Sequence, residues 1–110
     1  MDVVARELVI EPGASTGWHY HHTEIAALVK SGTLTRTLHD GTVEVSVPGD
    51  FFVERAGARH VHVGQNLGTR PVVLHVTYAL PEGAPFAVPA EAPPCCRAAQ
   101  TRRRISPRTR

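Results

Sequence analysis

Gly17-Trp18-His19-Tyr20-His21-His22-Thr23-Glu24 places four metal-ligating side chains in eight residues and leads straight into the apolar run Ile25 to Val29. In an extended chain successive side chains point to opposite faces. His19 and His21 therefore project together, about 7 Å apart along the strand, with Trp18 and Tyr20 on the other side. Two imidazoles on one face can meet a single ion when a third ligand arrives from a neighbouring strand. His60-Val61-His62 repeats the spacing farther along the chain. That pair of pairs is the strongest chemical signal in the chain.

The sequence around them is built of such strands. Asp2 to Ile10 is rich in Val, Leu and Ile, and Pro12-Gly13 breaks it. Thr33 to His39 alternates, with Leu34, Arg36 and Leu38 on one face and threonines on the other. Asp40-Gly41 suits a two-residue type I′ hairpin turn. Thr42 to Val47 then places Val43, Val45 and Val47 inward and Glu44 and Ser46 outward. Phe51 to Val53, His60 to Gly64 and Val72 to Leu80 complete the set, and no window of the chain has helical periodicity. Short strands recurring between Gly/Pro turns indicate an all-β sandwich or small barrel.

The 110 residues suffice for one modest core. Residues 1–94 hold six Lys/Arg against ten Asp/Glu, a net −4, whereas residues 95–110 hold six Arg and no acid. The chain thus reads as an acidic barrel domain over 1–90 and a Pro/Arg-rich tail over 91–110 that is expected to be disordered. Five prolines between Pro81 and Pro94 should keep that stretch extended along the barrel. No run approaches the roughly 20 apolar residues of a membrane span. No basic-then-apolar leader follows Met1, and adjacent Cys95 and Cys96 form no disulfide framework, so a reduced, cytoplasmic setting is expected. The run Arg102-Arg103-Arg104 could meet an anionic surface, but nothing beside it reads nucleic acid, and a solvated tail is the stronger reading.

The layout resembles the cupins, small barrels of the jelly-roll or double-stranded β-helix type. Gly13, five residues, then His19-x-His21, with Gly32 closing the segment, is similar to their first motif. That motif continues with a carboxylate at a position that falls on Ile25 here, while Glu24 sits one residue early. Gly49, Gly57 and Asn66 follow the second motif, with Arg55 where proline is usual. Counting from Gly57 selects His60 as its histidine, and counting back from Asn66 selects His62. The wording G-W-H-x-H, S-G-T-L-T, H-V-H and P-E-G-A-P also resembles small single-domain bacterial cupins without an agreed reaction, many lacking the first-motif carboxylate.

The resemblance implies a divalent transition metal, Fe, Mn, Ni, Cu or Zn, held by His19, His21 and one of His60 or His62, with Glu24 joining if the strand carries a bulge. His22 has the opposite parity and should be exposed. His75 could line the pocket as an acid or base, or be a satisfied polar residue, and an inward Arg36 could hold an anionic substrate. Phe51 and Phe52 would serve the core or a dimer face. Two functions are open: a dioxygenase- or isomerase-like enzyme acting on a small oxygenated molecule, and a non-catalytic module that binds a metal or small ligand. A homodimer is expected, since small barrels gain by covering exposed sheet edges.

Overall fold

The computed structural model describes residues 2–81 and 83–97. Among them nine strands form: β1 (Asp2–Ile10), β2 (His19–Tyr20), β3 (Ile25–Ser31), β4 (Leu34–Thr37), β5 (Val43–Ser46), β6 (Phe51–Glu54), β7 (Val63–Gln65), β8 (Val72–Leu80) and β9 (Val88–Pro89). Every pairing is antiparallel. A four-stranded sheet runs β1-β8-β3-β6, a three-stranded sheet runs β5-β4-β7, and β2 pairs with β9. The expected all-β barrel of jelly-roll type is the observed fold.

Period-2 alternation builds its interior. On β8, Val72, Leu74, Val76, Tyr78 and Leu80 are buried, and on β3 so are Ile25, Ala27 and Val29. With Ile10 and Leu34 they form one core cluster. Each fully buried aliphatic side chain contributes about 1.5–3 kcal/mol relative to exposure. Gly32 turns the chain between β3 and β4 at φ 76°, and a Cβ there would collide with the Pro71 carbonyl. Asn66 closes the loop before β8: its Nδ2 donates to the Ile10 and Arg70 carbonyls, and its Oδ1 accepts from Gly68 N.

The β4–β5 hairpin departs from its sequence reading in two ways. Val43, Val45 and Val47 are exposed, while Ser46 is buried. The register sets Arg36 opposite Glu44 and Leu34 opposite Ser46, so the inward face of β5 is its polar one. Arg36 is the cause: its buried guanidinium takes the Glu44 carboxylate at 2.7 Å. The turn is also not type I′, which needs positive φ at two successive residues. Gly41 alone has positive φ, and Leu38 N donates to Thr42 O across a three-residue loop. The Asp40 carboxylate accepts from Thr42 N within it.

The proline-containing segment lies along the barrel as expected. Ala90 N donates to Trp18 O, and β9 pairs with β2. Packing continues past residue 90: Ala92 is buried, and one helical turn at 94–97 sets Cys95 against Gly41. Residues 98–110, which hold the arginine run and most of the expected disordered tail, lie outside the described residues. No helix among the described residues is long and apolar enough to cross a membrane.

Candidate metal centre

His19 and His62 meet by backbone pairing. They form an antiparallel bridge in which each N–H donates to the other's carbonyl at 2.9 Å. His21 follows His19 at i+2 on the same face, so the three rings come together, with centroids 4.4 to 5.1 Å apart. One ligand nitrogen from each lies within 4.8 Å of the others, the one such group among the described residues. His21 and His62 are buried, and His19 is partly so.

Each ring is oriented by a main-chain acceptor. The Nδ1 of His19, His21 and His62 lies 2.8 Å from the carbonyl of Gly17, Phe86 and His60, respectively. A carbonyl only accepts, so all three Nδ1 atoms carry hydrogen, and in a neutral ring Nε2 is left to offer a lone pair. This is the support that metal-bound histidines generally receive. Burial is the main reason the His19 imidazole is held below its ordinary pKa, and His62 and His21 add to that effect, while its bond to Gly17 works against it. The neutral, ligating form is therefore favoured.

The fourth group is Glu54, at the inward end of β6. Its Oε1 lies 3.2 Å from His21 Nε2, and its Oε2 lies 3.2 Å from both His62 Nε2 and Arg36 Nη1. Burial by itself raises this carboxyl, but the contacts with His21, His62 and Arg36 outweigh it and hold the group well below the usual carboxylate range. Arg36 is locked in turn by Glu44 and by the Phe52 ring, 3.7 Å from its guanidinium carbon.

The geometry fits a cation. His62 Nε2 is buried without a hydrogen-bond partner, for although Glu54 lies close, the two are not aligned. With Nδ1 already donating, the remaining nitrogens of His21 and His62 face the Glu54 carboxylate at 3.2 Å, as donors when protonated and as acceptors when neutral. In the neutral form that arrangement is unfavourable until a proton or a metal ion stands between them, and a metal ion can meet all three rings at once. Three imidazole nitrogens and a carboxylate suit a divalent transition metal.

The other sequence candidates lie elsewhere. Glu24 is exposed in the bend before β3 and is not part of the cluster. The ring of His60 packs on His39, at 5.2 Å, after a 3-10 turn over Ala58–His60 that takes up the extra length of the second motif. His22 is exposed, beside Tyr20. His75 points outward and pairs with Glu7 at 3.1 Å, so it does not line the pocket. Arg36 does point inward, yet both its terminal nitrogens are taken by protein carboxylates. Phe52 faces the cavity and Phe51 faces out.

Sequence reasoning missed Glu54 and Phe86. An acid at an inward parity position of an otherwise apolar strand was the available signal for Glu54. Nothing local marks Phe86, whose role rests on its carbonyl and on a ring 5.0 Å from that of His21. The cluster opens on a cavity of about 420 Å³ whose walls include Ile10, Leu34, Leu74, Val76 and Phe86.

A sequence model of the Cupin domain matches residues 6–78. No curated protein matches the chain. Among solved structures, the chain is similar to an uncharacterised conserved protein with a double-stranded β-helix domain from Klebsiella pneumoniae, at 26% identity over 82% of this chain and 76% of that one, with a TM-score of 0.67. It is 31% identical to a putative sugar phosphate isomerase from Acidithiobacillus ferrooxidans over 73% of this chain and 52% of that one, with a TM-score of 0.62. The fold is shared with the dimethylsulfoniopropionate (DMSP) lyase DddQ of Ruegeria pomeroyi, at 18% identity over 82% of this chain and 44% of that one, with a TM-score of 0.70. The family match takes in most of the chain and both histidine pairs, and the protein belongs to the cupin family.

Proposed function

We propose that this cupin is a metal-dependent enzyme in which His19, His21, His62 and Glu54 hold one divalent transition metal ion, with a small, mostly apolar substrate in the barrel cavity. The observation that carries the reading is the unpartnered, buried Nε2 of His62, in a triad whose Nδ1 atoms all face carbonyls. Bound there, the ion would supply Lewis-acid activation or oxygen chemistry.

The chain's own residues then divide the work. Glu54 neutralises part of the ion's charge, and Arg36 keeps that carboxylate ionised and aimed. The acidity of Glu54 makes it a poor proton acceptor, so a ligand role suits it better than that of a general base. The aliphatic walls exclude water and offer few partners to a polyol. A substrate with an apolar body and one oxygen-bearing head therefore fits better than a sugar phosphate, the substrate class named for the similar putative isomerase.

The test is elemental analysis of untagged protein. About one ion per chain is expected, lost in His19→Ala, His21→Ala and His62→Ala and retained in His60→Ala and Glu24→Ala. A metal-bearing protein would then be screened for oxygen uptake and for turnover of small ketones and carboxylates. Wild type that takes up no metal even after reconstitution would overturn the reading. A metal-loaded protein inert towards all such compounds would instead support a binding module.

A further inference from the structure

Two further imidazoles come together outside the metal centre. His39 follows β4, and His60 ends the 3-10 turn over Ala58–His60. Their rings stand 5.2 Å apart, centre to centre, and nearly perpendicular. Two imidazoles on one tetrahedral ion take the same spacing: with the ion roughly 3.2 Å from each ring centre, the centres lie roughly 5.2 Å apart. The rings of the centre are each held by a carbonyl. Among the described residues no hydrogen bond or ion pair holds a ring nitrogen of His39 or His60. His39 is exposed and His60 half-buried, so a neutral ring of each can turn a lone pair towards an ion.

The pair lines a second cavity, of about 270 Å³, whose walls also include Glu44, Arg55, Glu54 and His62. Arg36, Glu54 and His62 line the large cavity as well, so they form the partition between the two. The two routes to the centre differ in chemistry. The aliphatic walls of the large cavity cost a hydrated divalent ion its solvation. Along the smaller one the imidazoles are followed by Glu44, half exposed, and by buried Glu54. Its charges cancel, Arg36 and Arg55 against Glu44 and Glu54, which leaves the imidazole lone pairs to select a transition metal. His60 belongs to both sites, because its carbonyl is the acceptor for His62 Nδ1.

We propose, on the reading of the three-histidine centre as a metal site, that His39 and His60 dock the incoming divalent transition metal ion and deliver it through the polar cavity to Glu54 and His62. Docking beside the destination makes the transfer intramolecular and raises the effective concentration of the ion. Neither imidazole belongs to the final ligand set. Their loss therefore slows loading and release by one factor and leaves the equilibrium affinity unchanged.

The experiment mixes the full apo chain with zinc and a fluorescent zinc indicator in stopped flow, and titrates the same proteins with zinc under NMR of the imidazole nitrogens. His39→Ala and His60→Ala should each load about tenfold more slowly than wild type, with an unchanged dissociation constant. The double variant should be no slower than either single one, because the two rings act as a unit. His75→Ala, on the outer face of the sheet, should load at the wild-type rate. Beyond the first equivalent of zinc the ring signals of His39 and His60 should shift together, and each should stay still when the other is Ala. Wild-type loading rates in both single variants, or ring signals that zinc does not move, overturn the inference. His19→Ala should lose the tight ion and keep the zinc-dependent shifts of His39 and His60, so a failed centre and a failed docking site give different results.

Discussion

Glu54 stands directly across the β3–β6 ladder from Ile25, and both side chains enter the cavity. Ile25 occupies the position where the spacing of the first cupin motif calls for a carboxylate. Residues paired across antiparallel strands have Cβ atoms only about 5 Å apart. A carboxylate moved from one strand to its neighbour therefore reaches nearly the same point in space.

This relationship predicts the behaviour of two glutamates. Glu54→Gln should keep the fold and lower metal affinity about 10- to 100-fold, the range seen when groups supporting a metal site are altered. Glu24→Gln should leave affinity unchanged. Competition with a chromophoric chelator measures both. Equal affinity in Glu54→Gln and wild type would remove Glu54 from the centre.

Arg36 ties Glu54 to Glu44 from inside the barrel. Arg36→Met keeps much of the volume over Phe52 but leaves a buried carboxylate without its guanidinium. Removing one member of a buried pair typically costs about 3–5 kcal/mol. Glu44 is half exposed and screened by solvent, so the lower end of that range is expected. Urea unfolding of the apo protein reads the loss directly.

The segment carrying Phe86 should act on His21 in particular. Its carbonyl is the acceptor for His21 Nδ1, and its ring packs on His21 and Tyr78 and lies under Arg6. Phe86 is half-buried, so Phe86→Ala should destabilise the fold by about 3 kcal/mol, the low end for such a truncation, and weaken metal binding by loosening that carbonyl. Phe86→Leu, which retains bulk, should recover most of the affinity. A metal titration on both variants separates them.

The thiols at 95 and 96 should react unequally. Their sulfurs are 2.8 Å apart, and the Cys96 thiol is pushed up from 9.0 to about 11 by desolvation first and by Cys95 second. A raised thiol pKa means less thiolate at any pH below it. At pH 8 the nucleophilic form of Cys96 is about 100-fold scarcer than for a thiol of 9.0. Alkylation by iodoacetamide, followed by peptide mass spectrometry, should therefore be slow at Cys96 and become faster in Cys95→Ser. An alkylation rate at Cys96 equal to that of an unperturbed thiol would contradict this.

Sequence alone determined the all-β class, the strands at 25–30 and 72–80, the turn at Gly32 and the shared face of His19 and His21. These properties follow from backbone geometry over a few residues, and chain spacing encodes them. The partners from distant strands were decided only by tertiary structure. The choice of His62 over His60 for the cluster came from the backbone bridge to His19. The entry of Glu54 came from the β3–β6 register. The inversion of β5 came from the demand of a buried Arg36 for a carboxylate, which outweighed the preference of three valines for the interior. An alternating strand does not say which of its faces is inward when both carry plausible core residues. That choice belongs to the strand across from it.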